Sequence, residues 1–409
     1  MLSYLCYYLS VLYHKYVDSL MNTISKLALG VALGLSFGAQ ALEVPPPSVE
    51  AKSYVVFDTS TNQYIASENE NERLQIASLT KVMTAYVVLK EIQNGTLKKS
   101  DVVTISKKAH QMKGSRMFLS IGEKITVGEL LRGLMVVSGN DAAVALAEHI
   151  SGSEKRFAQL MNSYAAKIGM TDSHFENASG LPLPKRKIKE QYSTASDLAI
   201  LADHLIDEFP EMLEVYSTKR LDHNEIEQDN RNKLLSMDSN YEGLKTGWTE
   251  NAGYCIISSY HNGDRRVVSV VLGSKTADNR IQAANVLSNY GIRRFMNISP
   301  VSTDTALSEM SVIYGAKPSI KVFPATKYSL TVPRDEAEHD KIRLLVDIFP
   351  NSDGKEALIA PVISNLEVGE VKVEYDGVIV ETIPLITKEE INESGFASKL
   401  IDWIKYKLT

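Results

Sequence analysis

Three short clusters of polar residues in this chain have the residue types and spacing for an acyl transfer. Ser78 and Lys81 stand in Ser78-Leu-Thr-Lys81, Ser138-Gly139-Asn140 follows, and Lys245-Thr246-Gly247 comes third. A serine hydroxyl at its ordinary pKa is a poor nucleophile, so a neighbouring base must take its proton as it attacks a carbonyl carbon. On a helix, positions i and i+3 share a face, so Lys81 can point back toward Ser78. A lysine accepts a proton only when its amine is neutral, against a reference pKa of about 10.4, and burial or a nearby cation lowers that value. Lys245 is the candidate second cation, and its positive charge would also attract an anionic substrate. Ser138 can relay a proton to a departing amine, and Asn140 can hydrogen-bond a substrate amide. Taken singly, each cluster has an ordinary reading as a solvated helix start, a capping turn or a strand edge. Their joint occurrence, with separations long enough for three elements to converge on one cleft, favours the catalytic reading.

The elements that must hold these residues are legible in outline. Leu79, Val82, Met83, Tyr86, Val87 and Leu89 give a helical apolar pattern, with Asn94-Gly95 as a stop. Ser78 falls in the first turn, where backbone N–H groups favour developing negative charge. Lys245 to Trp248 is expected to open a strand running into Tyr254 to Ile257, with Asn262-Gly263 turning it into Val267 to Leu272. Gly247 would let a peptide substrate approach the strand backbone closely. The Trp248 and Ser78 N–H groups could form an oxyanion hole, and the Trp248 side chain could equally be a packed aromatic. A strand pair around Thr61-Asn62-Gln63, helical patterns over 127–151 and 157–169, and a helix over 280–290 complete an α/β reading: an antiparallel sheet flanked by helices.

From about residue 297 the texture changes to short β-branched runs at 319–323, 328–332, 342–349 and 371–379, separated by Pro, Gly and Asp. That predicts a small all-β domain over 297–388, read as a stalk or interaction module, after a catalytic domain over 49–294. Residues 393–409 place Phe396, Leu400, Ile401, Trp403, Ile404 and Leu408 on one helical face beside Lys399, Lys405 and Lys407. Such a segment can lie in a membrane interface, or dock on the protein's own domain. At the other end, Met21 to Lys26 is a short basic region, Leu27 to Phe37 an apolar core and Ala39-Gln40-Ala41 a cleavage site. Residues 1–41 therefore read as an extension plus a secretory signal, with Met21 as the expected initiator.

With 409 residues, 44% hydrophobic and 23% charged, the chain can bury substantial cores. Its net charge of -6 suggests no general nucleic-acid footprint, so local cations must attract any anionic polymer. Cys6 and Cys255 are the only cysteines, and loss of Cys6 with the signal leaves no internal disulfide. Cys255, in an apolar strand, is expected to be a buried inert thiol. No metal-ligand spacing and no phosphate loop is evident, so neither metal nor cofactor is expected.

The stretches around the clusters, IASLTKVMTAYV, LMVVSGNDAAVALAE, QYSTASDLA, NRNKLL and EGLKTGWTENAGY, resemble low-molecular-mass penicillin-binding proteins of the D-alanyl-D-alanine carboxypeptidase group, the penicillin-binding protein 5/6 type. The resemblance runs from about residue 49 to the C-terminus. It implies a penicillin-binding transpeptidase/β-lactamase-like fold and a serine enzyme that removes the terminal D-alanine from the pentapeptide stem of peptidoglycan. It also implies trapping by β-lactams and a peripheral place on the periplasmic face of the bacterial inner membrane.

By the resemblance, Ser78 is the acylated nucleophile, Lys81 the proton acceptor, Ser138 and Asn140 the second motif, and Lys245 with Thr246 the binders of the substrate carboxylate. Arg280 in TADNRIQAAN matches a further carboxylate-binding arginine, and Arg231 is a site-lining candidate; a surface ion pair is the alternative for each. Where members of that group carry histidine after Lys-Thr-Gly, this chain has Trp248, which keeps a backbone donor and loses any imidazole role. A class A β-lactamase is the nearest alternative, but no E-x-x-L-N stretch lies between Ser138 and Lys245. A DD-endopeptidase or a non-catalytic penicillin-binding scaffold are the others.

Overall fold

A computed structural model describes residues 44–182, 191–396 and 399. The chain opens with the hairpin β1 (Ser53–Asp58) and β2 (Gln63–Glu68), and Ala77–Leu79 then forms a tight 3-10 turn that leads into α1 (Thr80–Gln93). β3 (Val102–Thr104), α2 (Lys107–His110) and β4 (Lys124–Thr126) form a small annex. α3 (Val127–Val136) starts on a capping box, in which Thr126 and Glu129 satisfy each other's backbone N–H groups. α4 (Asn140–Ser151), α5 (Glu154–Lys167), α6 (Ala195–Glu208) and α7 (Met212–Tyr216) follow. β5 (Arg220–His223), β6 (Ile226–Asp229) and α8 (Leu234–Met237) lead to three long strands. These are β7 (Tyr241–Thr249), β8 (Gly253–Asn262) and β9 (Arg265–Ser274), and α9 (Ala277–Arg294) ends the first region.

The central sheet runs β2-β1-β9-β8-β7 and is antiparallel throughout. Its inner strands read as continuous apolar runs because helices cover both faces. Val55, Phe57, Ile257, Val268, Val270 and Leu272 face the main helical core with α1 and α3 to α6. Val56 and Val267 face the other way, against α9, where Gly291 brings the helix so close that a Cβ would lie 2.9 Å from Val56 Cγ1. Cys255 is fully buried, and burial pushes its thiol up to about 11, which makes it inert.

Two sequence expectations need correction. The apolar pattern over 127–151 is not one helix: it breaks at Val137 to Gly139, where Ser138 takes a positive φ of 61°. The apolar residues run on through the break, because the end of the first helix and the start of the second are both buried, so the pattern does not reveal the turn. Likewise Lys245 to Trp248 does not run on into Tyr254 to Ile257. The chain reverses at Glu250 to Ala252, and the two stretches pair side by side, with Trp248 opposite Tyr254 and Gly247 opposite Cys255. The Asn262-Gly263 hairpin between β8 and β9 is as expected.

The second region is all-β. β10 (Phe295–Val301), β11 (Ser308–Ile313), β12 (Ser319–Pro324) and β13 (Tyr328–Pro333) precede β14 (Ile342–Ile348), β15 (Ala357–Ile359), β16 (Glu367–Tyr375) and β17 (Val378–Thr387). A six-stranded sheet, β14-β16-β17-β12-β11-β15, buries Val322, Val371, Val373 and Leu385, and β10 pairs with β13 beside it. Asp376 and Gly377 both take positive φ, which suits the tight β16–β17 hairpin. The joint to the first region is polar and specific. Fully buried Asp58 accepts from Arg265 Nη2 at 2.6 Å, and Arg265 Nη1 donates to the Phe295 carbonyl at 2.6 Å. Thr61 and Thr331 hydroxyls meet at 2.6 Å.

The secretory-signal reading falls on residues 1–41, outside the described residues, as does nearly all of the amphipathic segment beyond Phe396. Among the described residues no helix is long and apolar enough to cross a membrane.

Candidate active site

Ser78 is half-buried in the tight turn before α1. Ala77, just before it, has φ 47°, a left-handed value that costs a non-glycine residue energy. That strain is held from three sides. Thr80 Oγ1 donates to the Ala77 carbonyl at 2.8 Å. Gly180, at φ 81°, comes so near that a Cβ would sit 2.0 Å from the same carbonyl oxygen. Gly247 on β7 lies so close that a Cβ would be 2.9 Å from Ile76 O and 3.1 Å from Ser78 N. The sequence reason for Gly247, room for a substrate, is therefore incomplete: the glycine first lets the third cluster pack on the turn that carries the first.

Lys81, one turn along α1, is fully buried. Its Nζ donates to Ser78 Oγ at 3.1 Å, to Asn140 Oδ1 at 2.6 Å and to the Ser179 carbonyl at 2.6 Å. Burial lowers its pKa to about 7, with the Asp141 charge pulling the other way. The Asn140 amide is fixed in turn, because Nδ2 donates to the Lys113 carbonyl at 2.6 Å. Ser138 is buried at the head of α4, on the left-handed turn already described. Asp141 accepts from the backbone N–H groups of Met117, Phe118 and Leu119 at 2.9, 3.0 and 3.2 Å, which pins the loop over Asn140.

The third cluster forms the facing wall. Lys245 and Thr246 are buried, and Lys245 Nζ donates to the Thr246 carbonyl at 2.9 Å. Burial first, then the charges of Lys81, Arg280 and Arg231, push Lys245 well below the ordinary lysine range. Burial is the main cause that lowers Lys81, and the repulsion between the two lysines is mutual. Arg280, on α9, is only 7% exposed, and burial lowers its pKa as well. Among the described residues no carboxylate forms an ion pair with it. Arg231 is solvent-exposed, yet its charge reaches Lys245. The Trp248 side chain is not a packed core aromatic; it is 55% exposed at the rim, its ring 5.7 Å from that of Tyr254.

Sequence reasoning missed the loop Asn177-Ala178-Ser179-Gly180. Asn177 Oδ1 accepts from the N–H groups of Ser179 and Gly180 at 3.1 and 2.7 Å, which aims the Ser179 carbonyl at Lys81. Its only signal was a small polar turn, and a carbonyl ligand leaves no mark on residue type. Among the described residues no group of three or more His, Cys, Asp or Glu could hold a metal ion.

A five-stranded antiparallel sheet, a helical cluster on one face and a Ser–Lys pair at their junction define a serine hydrolase of the penicillin-binding transpeptidase-like fold. The chain belongs to the D-alanyl-D-alanine carboxypeptidase family, whose profile matches residues 40–276, while the C-terminal domain of penicillin-binding protein 5 matches residues 295–393. It is 35% identical over 402 residues to D-alanyl-D-alanine carboxypeptidase DacC of Escherichia coli (strain K12), covering 95% of this chain and 98% of that protein. Penicillin-binding protein 5 from Haemophilus influenzae superposes with a TM-score of 0.74 at 34% identity, covering 86% of this chain and all of that one. Penicillin-binding protein D2 from Listeria monocytogenes, solved in its ampicillin-bound form, has a TM-score of 0.56 at 29% identity, covering 61% of this chain and 100% of its own.

Proposed function

We propose that Ser78 removes the terminal D-alanine from peptidoglycan pentapeptide stems through an acyl-enzyme. The observation that carries this is the buried, pKa-lowered Lys81 amine 3.1 Å from the Ser78 hydroxyl. Neutral Lys81 takes the Ser78 proton as Oγ attacks the carbonyl of the penultimate D-alanine. The oxyanion is held by the backbone N–H groups of Ser78 and Trp248, which Gly247 brings together. Collapse breaks the peptide bond, the leaving nitrogen takes a proton through Ser138, and water then frees the acyl group. Asn140 holds Lys81, and on this reading it also hydrogen-bonds the substrate amide.

Lys245, Thr246 and Arg280 take the substrate's terminal carboxylate. An arriving anion supplies the counter-charge that Lys245 lacks, so binding restores its proton and strengthens the contact. Arg231 adds positive potential at the mouth. Trp248 keeps the oxyanion donor and shields one side of the cleft. A β-lactam presents a carbonyl and a carboxylate to the same groups, and the ampicillin-bound relative supports acylation of this chain by such drugs.

Reading residues 1–41 as ending in a secretory signal and 393–409 as an amphipathic anchor, we put the enzyme at the periplasmic face of the inner membrane, attached peripherally. The test is incubation of the protein with fluorescent penicillin and with a pentapeptide stem. Labelling should vanish in Ser78→Ala, and D-alanine release should vanish in Lys81→Ala. Labelling of the unaltered protein without any D-alanine release would replace the enzyme reading with a non-catalytic scaffold.

A further inference from the structure

Arg280 poses a physical problem that its assigned role does not solve. A guanidinium buried beside Lys245, with no carboxylate ion-paired to it among the described residues, is repelled by that neighbour and by its own loss of water. Among the described residues its buried Nε has no hydrogen-bond partner, and Nη1 reaches the Gly247 carbonyl only at 3.5 Å. One hydrogen bond at the limit of contact does not fix a planar fork. Among the described residues its other contact is aromatic: the guanidinium carbon lies 5.6 Å from the centroid of the Tyr254 ring, over its face.

We infer that Tyr254 is a positioning residue that holds the Arg280 guanidinium in the carboxylate subsite through its π-face, with Trp248 as the outer cover of that ring. The chemistry favours an aromatic over an acid at this position. An aspartate or glutamate would satisfy Arg280 by occupying its donors and cancelling its charge, in direct competition with the substrate. A ring face attracts the cation by its quadrupole and leaves the N–H fork free for a bidentate ligand. The orphaned Nε is what such an arrangement should leave behind. Tyr254 sits where β7 and β8 pair, directly opposite Trp248, whose ring lies 5.7 Å away. Trp248 therefore borders the same platform, a role that histidine at that position would fill with a smaller and more polar ring.

This inference rests on the reading that Arg280 binds the substrate carboxylate, and the test separates the two. Two acyl-D-Ala-D-Ala peptides are compared, one ending in a free carboxylate and one in a carboxamide, and the ratio of their kcat/KM values is measured. Arg280→Ala should lower that ratio. Tyr254→Leu should lower it by about 3- to 30-fold, the range of a cation–π contact, chiefly through KM for the carboxylate peptide. Tyr254→Phe, which keeps the ring face, should stay within about twofold of the unaltered enzyme. Adding Tyr254→Leu to Arg280→Ala should lower the ratio no further. If Arg280→Ala lowers the ratio and Tyr254→Leu does not, or if Tyr254→Leu slows both peptides equally, the positioning role is wrong while the carboxylate reading stands. If Arg280→Ala leaves the ratio unchanged, the carboxylate reading fails and takes this inference with it. Should Tyr254→Leu not fold, Tyr254→Met removes the ring with similar bulk and answers the same question.

Discussion

Titration of Lys81 puts the chemistry of the site under direct test. With the ordinary lysine value of 10.5, about three amines in ten thousand would be neutral at pH 7. At the buried value of about 7, roughly half are neutral, so burial enlarges the competent fraction more than a thousandfold. The gain is drawn from stability: a shift of this size corresponds to about 5 kcal/mol of differential protonation energy. The observed rate constant for Ser78 acylation by a penicillin, followed by stopped flow from pH 5 to 9, should rise tenfold per pH unit below an inflection near 7 and level off above it. Asp141→Asn removes a charge that raises Lys81, so its inflection should fall. The stability counterpart has a definite sign. The unfolded state binds the extra proton between the folded value of about 7 and the unfolded value, so the Lys81 contribution to stability rises with pH across that window. A rate flat across pH 5 to 9, or one still climbing at pH 9, would refute the neutral-amine mechanism.

Gly247→Ala should leave the fold intact and cut acylation by about 10²- to 10³-fold, the cost of misplacing an oxyanion donor, because the new methyl meets the backbone at Ile76 and Ser78. Normal acylation by that variant in a penicillin-labelling time course would show that β7 can yield without moving the turn. Deleting residues 393–409 should shift the protein from the membrane to the soluble fraction with penicillin labelling of Ser78 retained. Unchanged fractionation would defeat the peripheral-anchor reading.

The sequence by itself determined which residues could react and which family they belong to. Ser78, Lys81, Ser138, Asn140, Lys245 and Thr246 are legible because side-chain chemistry is written in residue type, and their order survives in the chain. The hairpin at Asn262-Gly263 and the β-branched texture after residue 297 are legible because turn residues and period-two apolar runs act locally. What it could not show are the features that depend on approach between distant segments. The break at Ser138 hides inside a pattern that both flanking helices share, and the Ser179 carbonyl that receives Lys81 is a backbone atom with no residue signature. The close packing of Gly247 on the Ser78 turn, the placing of Arg280 over Tyr254 and the exposure of Trp248 arise only when β7, β8, α1 and α9 meet. The lowered pKa of Lys81 belongs to the same class. Residue identity supplies an amine, and only burial among packed helices removes enough water to make that amine a base near neutral pH.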